Sequence, residues 1–183
     1  MKNLLYTLLL TFATLTAAAQ TRIALLCDLH VSPGNRNEQI LKQVVEEINA
    51  DATQIVIVAG DLTNEGSDEE LRAVKAVLDG IKKPQYVVPG NHEDQWSQSA
   101  CKRFNDLWGD DRFVTELDGM VIVGINCGPY MKAADGHIKR EDLTWLDKTL
   151  SKHEGKRVIS VNHYPITTED LDNYDQYINV LSK

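Results

Sequence analysis

The sequence predicts a single α/β domain, and three features of the chain support that prediction. Short runs of β-branched and apolar residues alternate with segments in which apolar residues recur at helical spacing. The run from Ile55 to Val58 is apolar at every position, as expected for a parallel strand covered on both faces. Asp118-Gly119 lies between two strand-like runs, which is typical of a hairpin and adds antiparallel strands. Mixed sheets are therefore expected.

The elements follow in order from this alternation. The predicted strands are short and end in turn residues; they cover residues 21–27, 55–58, 85–88, 112–116, 120–126 and 157–161. The predicted helices lie between or after them and cover residues 38–49, 68–79, 98–108, 139–153 and 171–183. Ser67 and Glu70 form the capping-box pattern that begins the second helix, and Gly80 ends it.

The first 19 residues have the pattern of a secretory signal peptide. Lys2 supplies the positive start, an apolar run extends from Leu4 to Leu15, and Ala17 to Ala19 form a small-residue cleavage site. The run is shorter than the roughly 20 residues that cross a bilayer. We therefore expect residues 20–183 to form the mature domain, in the periplasm or outside the cell. The alternative is a buried N-terminal helix, and no other stretch is apolar enough to span a membrane.

The formal net charge of −8 limits the partners that the chain can bind. Nonspecific binding to a nucleic-acid polymer needs Lys and Arg against the phosphates, so none is expected here. Small phosphate esters stay possible, because metal ions can supply the local positive charge. The oligomeric state leaves no signal in the sequence.

The chain contains three cysteines, Cys27, Cys101 and Cys127. An odd number cannot pair fully, although one disulfide stays open in an exported protein. Cys27 and Cys127 lie in apolar, strand-like surroundings, where free cysteine commonly acts as a small hydrophobic residue.

Four of the predicted strands end in residues that can bind metal ions. Ligands gather at the carboxyl ends of strands in α/β sheets, so these turns are expected to meet at one edge. Carboxylate, amide and imidazole groups suit zinc, iron or manganese, and a carboxylate can bridge two ions. The candidate ligands, in chain order, are Asp28, His30, Asp61, Asn91 and His163.

Two details refine this candidate site. Asp28 and His30 are expected to share a face if the first strand continues through them. Gly60 and Gly90 directly precede two of the candidates, and glycine permits a sharp turn and a close approach. His92 is a candidate proton donor, because an imidazole titrates near neutral pH.

Together these turns resemble a known family. Asp28-x-His30, Gly60-Asp61, Gly90-Asn91-His92-Glu93 and Asn162-His163 are similar to the successive motifs of the calcineurin-like metallophosphoesterases. The resemblance implies a four-layer αββα sandwich with two mixed sheets. It also implies hydrolysis of a small phosphoric mono- or diester at two metal ions, which are iron, manganese or zinc.

The resemblance also implies a role for each candidate. Asp28 and His30 would hold the first ion and Asp61 would bridge both. Asn91 and His163 would hold the second ion. His92 would protonate the leaving oxygen or clamp the phosphate, while a bridging hydroxide attacks phosphorus.

One departure from the family pattern keeps alternatives open. The closing G-H-x-H motif has no counterpart after Pro165, and Gly136-His137-Ile138-Lys139 precedes His163 and ends in Lys. We therefore expect the chain to stop before the last strands. One alternative is a catalytically incomplete module that binds metal or phosphate. Another is an unrelated α/β domain whose Asp and His residues only cap turns.

The substrate is not readable from the sequence. Four aromatic residues could stack on a base or sugar, or be ordinary core or surface residues, and the second interpretation is preferred; they are Trp96, Trp108, Tyr130 and Tyr164.

Overall fold

The computed structural model describes residues 20–130 and 135–183. Their strands are β1 (Ile23–Leu26), β2 (Ile55–Ala59), β3 (Gln85–Val88), β4 (Phe113–Leu117), β5 (Met120–Gly124) and β6 (Arg157–Val161). Their helices are α1 (Arg36–Ala50), α2 (Asp68–Leu78), α3 (Lys102–Trp108), α4 (Arg140–Ser151) and α5 (Tyr174–Leu181). None of these helices has the length and apolar composition needed to cross a bilayer. The proposed signal peptide, residues 1–19, lies outside the described residues, so export stays a prediction.

The strands form two sheets of three. The first has the order β1-β2-β3 and is parallel throughout, because α1 and α2 provide the crossovers. The second has the order β4-β5-β6 and is mixed, since β4 and β5 form the predicted antiparallel hairpin and β6 runs parallel to β5. The α/β prediction is confirmed. Mixed pairing is found in the second sheet, whereas the described strands of the first are parallel.

Apolar side chains divide the domain into four layers. One buried cluster joins α1 and α2 to the first sheet, a second lies between the two sheets, and a third joins α4 and α5 to the second sheet. Representative members are Val45 and Val56 in the first cluster, Ile57 and Ile122 in the second, and Val123 and Leu146 in the third. Because successive residues of β2 point to opposite faces, Val56 and Ile57 belong to different clusters. This is the helix-sheet-sheet-helix arrangement that the resemblance implied.

The start of α2 is as the sequence predicts. The Ser67 hydroxyl accepts a hydrogen bond from the Glu70 backbone N–H at 3.2 Å, and the Glu70 carboxylate accepts one from the Ser67 N–H at 3.1 Å. This reciprocal capping box satisfies two amide groups that the first helical turn leaves without a partner.

The third and fifth helices differ most from their predicted boundaries. The third helix begins at Lys102 rather than at residue 98, because Ala100 and Cys101 have φ values of 47° and 67°. Residues in this left-handed region cannot belong to a right-handed helix. The last helix occupies Tyr174–Leu181 instead of residues 171–183.

Candidate metal centre

Asp61 lies at the centre of the four turns that follow β1, β2, β3 and β6. One carboxylate oxygen, Oδ2, is 3.8 Å from His30 Nε2 and 3.5 Å from His92 Nε2. The other, Oδ1, is 3.3 Å from His163 Nε2. The carboxylate is buried, with 4% of the residue exposed. Imidazoles from three different turns therefore face one buried carboxylate.

The two remaining candidates extend this arrangement on either side. Asp28 Oδ1 is 3.7 Å from His30 Nε2, and Asn91 Oδ1 is 3.1 Å from His163 Nε2. Donor atoms that share an ion at about 2.1 Å lie roughly 3.0–3.7 Å apart, depending on the angle between them. The observed spacings fit that range closely. The structure thus brings together all five candidate ligands and His92.

The first turn reaches the site by a route that the sequence did not predict. β1 ends at Leu26, and Asp28 and His30 have left-handed φ values of 54° and 45°. They therefore do not share a face of a continuing strand, and the sequence prediction that they would is wrong. Their N–H groups donate instead to the carbonyls of Gly60 and Asp61, at 3.1 Å and 3.0 Å. These bonds to the β2 turn hold a backbone conformation that is otherwise unfavourable.

Gly60 and Gly90 are required by close approach, as the sequence predicts. A Cβ atom on Gly90 would lie 2.2 Å from Asp61 Oδ1, and one on Gly60 would lie 2.7 Å from ring atoms of His163. Both distances are shorter than any normal contact. Any larger residue would displace Asp61 or His163 from its place in the site.

Glu93 joins the β2 and β3 turns, a role that sequence reasoning missed. This fully buried carboxylate accepts hydrogen bonds from the Thr63 N–H at 3.0 Å, the Thr63 hydroxyl at 2.7 Å and the Gly90 N–H at 3.0 Å. Burial raises the pKa of the Glu93 carboxyl, although these hydrogen bonds act in the opposite direction. The sequence feature that could have indicated this role is the position of Glu93 as the last residue of Gly90-Asn91-His92-Glu93.

Backbone carbonyls orient two of the histidines. His163 Nδ1 is 2.9 Å from the Ala59 carbonyl, and His92 Nδ1 is 2.6 Å from the Asn64 carbonyl. Because a carbonyl oxygen only accepts, each Nδ1 carries the proton and each Nε2 faces Asp61. A hydrogen bond of this kind fixes the ring of a metal-binding histidine.

The electrostatics of the site favour a positive charge beside Asp61. Burial tends to raise the pKa of Asp61, but the hydrogen bond and charge of His163 outweigh it and lower the pKa. Burial likewise opposes the charged form of His163, yet its contact with Asp61 raises the pKa of the imidazole to about 11. A proton or a metal cation between these groups satisfies both of them.

Cys27 differs from the sequence prediction of a small hydrophobic core residue. It is exposed, as is Leu25 two residues earlier in β1, and its thiol donates to Asp28 Oδ2 at 2.7 Å. Its sulfur is also 3.8 Å from His163 Nδ1, but that nitrogen carries a proton and cannot bind an ion. Cys101 and Cys127 are buried, and all three thiols are free.

A second polar network, also missed by sequence reasoning, lies behind the β3 turn. The Asn126 amide donates to Asp94 Oδ2 at 2.9 Å and to Asp111 Oδ2 at 3.0 Å, and all three residues are buried. Burial raises the pKa of Asp94 to about 6, and the nearby negative charge of Asp111 adds to the effect. The network is linked to the turn after β3, because the backbone N–H of Asp94 donates to the Gly90 carbonyl.

Comparison with known proteins matches nearly all of the described residues to a single protein family. A family model described as Calcineurin-like phosphoesterase matches residues 21–181. Among solved structures, a dimetal phosphatase from Danio rerio superposes with a TM-score of 0.63 at 18% identity, covering 88% of this chain and 77% of that one. At that identity the likeness concerns the fold.

Relatives with similar sequences include two bacterial proteins. A probable glycerophosphodiester phosphodiesterase of Arcobacter nitrofigilis is 29% identical over 66% of this chain and 45% of its own length. A probable cyclic nucleotide phosphodiesterase of Vesicomyosocius okutanii is 26% identical over 78% of this chain and 62% of its own. The chain thus spans less than two thirds of either relative.

Proposed function

Because the chain belongs to the calcineurin-like phosphoesterase family, we propose that it hydrolyses small phosphoric mono- or diesters with the help of two metal ions. The observation that carries this proposal is that His30 and His163 face the buried carboxylate of Asp61, with Asp28 and Asn91 next to these two imidazoles. Two relatives named as phosphodiesterases support a diester substrate.

The donor set divides between two ions. Asp28 and His30 lie on the Oδ2 side of Asp61 and would hold one ion, together with that oxygen. Asn91 and His163 lie on the Oδ1 side and would hold the other. The mixture of carboxylate, amide and imidazole suits iron, manganese or zinc. When bound, such ions neutralise charge on the phosphoryl oxygens and lower the pKa of water at the site.

We assign His92 the role of proton donor. Its donor atom lies within 4.8 Å of those of His30 and Asp61, in a group that could also hold an ion, so the imidazole adjoins any phosphate bound at this site. Its Nδ1 is held by the Asn64 carbonyl, and its backbone N–H donates to Asp61 Oδ1 at 3.1 Å. With Nδ1–H held there, Nε2 gives a proton to the leaving oxygen when the ring is in its imidazolium form, protonated at both nitrogens.

The proposal is tested by measuring metal content together with hydrolysis of bis(4-nitrophenyl) phosphate and 4-nitrophenyl phosphate. Asp61→Asn is expected to lose bound metal and at least about 100-fold in kcat/KM, because its carboxylate faces both groups of ligands. Asp118→Asn is the matched control: Asp118 has a similar φ value (47° against 50°) but lies in the β4–β5 hairpin.

A second variant separates binding from proton transfer. His92→Ala is expected to keep its metal and to lose about 100-fold in kcat. The proposal is wrong if the metal-loaded protein hydrolyses neither ester, or if Asp61→Asn retains the metal content and activity of the wild type.

A further inference from the structure

Trp96 is a large aromatic side chain exposed directly beside the candidate metal centre. It is 57% exposed, although an indole gains free energy by leaving water. Its ring centroid is 4.3 Å from that of His92, with an angle of 52° between the planes. The His92 ring in turn contacts His30, at 4.7 Å. An exposed apolar surface therefore adjoins the residue that faces the leaving oxygen.

Hydrogen bonds fix the backbone that carries this indole. The Trp96 N–H donates to the Asn91 carbonyl at 3.2 Å, so the indole and the candidate ligand Asn91 belong to one closed turn. The residues after it are tied as well, since the Gln98 N–H donates to the Gly66 carbonyl at 3.2 Å. The backbone of this turn therefore needs little ordering when a ligand arrives, which favours binding.

The other aromatic residues singled out in the sequence have different surroundings. Trp108 stacks on Phe104 at 4.8 Å within the cluster beneath α1 and α2. The Lys139 ammonium nitrogen lies over the Tyr130 ring, 4.5 Å from the ring centroid. Tyr164 packs against the cluster beneath α4 and α5. Trp108 and Tyr164 therefore pack against the core and the Tyr130 ring is covered by Lys139, whereas Trp96 is largely exposed.

We propose that Trp96 is a specificity-determining residue, a stacking surface that favours phosphoesters whose leaving group carries a planar ring, such as a nucleoside or an aryl alcohol. This inference rests on the proposed function, because it takes the leaving oxygen to lie at His92. The group attached to that oxygen then extends past the imidazole and onto the indole. Aromatic rings prefer offset or tilted stacking, and an exposed indole leaves both geometries available.

The first test compares kcat/KM for two diesters, bis(4-nitrophenyl) phosphate with a planar leaving group and glycerophosphoethanolamine without one. Trp96→Ala is expected to lower the ratio of the two values about tenfold, mainly through KM for the aryl ester. Trp96→Phe keeps a flat ring and is expected to restore the ratio to within about threefold. An equal loss on both substrates would overturn the inference, because it would mean that Trp96 only supports His92.

A binding measurement distinguishes failure of this inference from failure of the proposed function. Calorimetry with the manganese-loaded protein compares adenosine 5′-monophosphate with ribose 5-phosphate, which share a phosphate and differ in the base. The wild type is expected to bind the nucleotide about tenfold more tightly, and Trp96→Ala is expected to lose that preference. If this preference is found in a protein that hydrolyses no ester, Trp96 is a stacking surface for a ligand's ring and it is the proposed function that fails. Absence of the preference in the wild type overturns the inference.

Discussion

At the scale of single residues, the position of Asp61 matters as much as its chemistry. Its left-handed φ of 50° turns the side chain back from the end of β2 to lie between the other turns. Gly90 leaves room for the carboxylate, and the His92 N–H binds one of its oxygens. A carboxylate that is oriented in this way and shielded from water can bridge two ions without having to reorganise.

The three thiols are expected to differ sharply in reactivity. Cys27 is exposed, whereas burial raises the pKa of both Cys101 and Cys127. Because the thiolate is the reactive form, one thiol per native chain should react with Ellman's reagent at least about 100-fold faster than the others. Cys27→Ser should remove that fast phase, and all three thiols of the wild type should react after unfolding. Three equal rates in the native protein would contradict the assignment.

Asp94 is expected to make stability depend on pH. Its pKa is raised from 3.8 to about 6 in the folded state, so the folded protein holds this proton more tightly than the unfolded chain. The resulting stabilisation is complete below pH 3.8 and is lost as the pH rises through 6. Between pH 4 and pH 7 the wild type should lose about 2 kcal/mol more free energy of unfolding than Asp94→Asn. Urea unfolding at each pH measures this, and parallel profiles would rule it out.

At the scale of elements, the strands and helices were largely predictable and the turns were not. β2 and α2 follow from an apolar run and from the Ser67-Glu70 cap, which are local signals. The conformation of Asp28 depends on a hydrogen bond to Gly60, 32 residues away, and no local pattern encodes it. The prediction for Cys27 was wrong because burial also depends on tertiary packing, and Leu25, two residues earlier in β1, is exposed as well. The residues of the site could be recognised in the sequence because they follow predicted strands. Their relative positions could not, because these depend on contacts between distant parts of the chain.

The β3 turn provides a direct test of this tertiary fit. Gly90→Ala places a Cβ 2.2 Å from Asp61 Oδ1, so we expect a loss of about 1–3 kcal/mol in stability and at least tenfold in metal affinity. Gly80→Ala is the control, because Gly80 follows the end of α2 and lies outside the candidate site. The atom nearest to its added Cβ would be the Val77 carbonyl oxygen, at 3.1 Å. Thermal unfolding measures the stability of both variants, and metal titration measures their metal affinity. Equal effects on metal affinity would show that the close approach of Gly90 to Asp61 is unimportant.

At the scale of the whole molecule, the candidate site connects the two sheets. Most of its donors follow strands of the first sheet, whereas His163 follows β6 of the second. Between the sheets the contact is apolar, through residues such as Ile57 and Ile122. The four-layer arrangement followed from the family resemblance. The joining of both sheets at Asp61 emerged only from the structure, because it depends on how one sheet packs on the other.

Removing metal is therefore expected to destabilise the whole domain. An ion at 100 times its Kd stabilises the folded state by about 2.7 kcal/mol, which corresponds to roughly 5–10 °C in Tm for a domain of this size. Scanning calorimetry with and without EDTA should show this difference in the metal-loaded wild type. His163→Ala removes the ligand from the second sheet and should abolish most of the difference. His153→Ala, whose imidazole pairs with Glu116 at 3.1 Å, should preserve it. If EDTA leaves Tm unchanged, or lowers it equally in His163→Ala and the wild type, metal does not join the two sheets through His163.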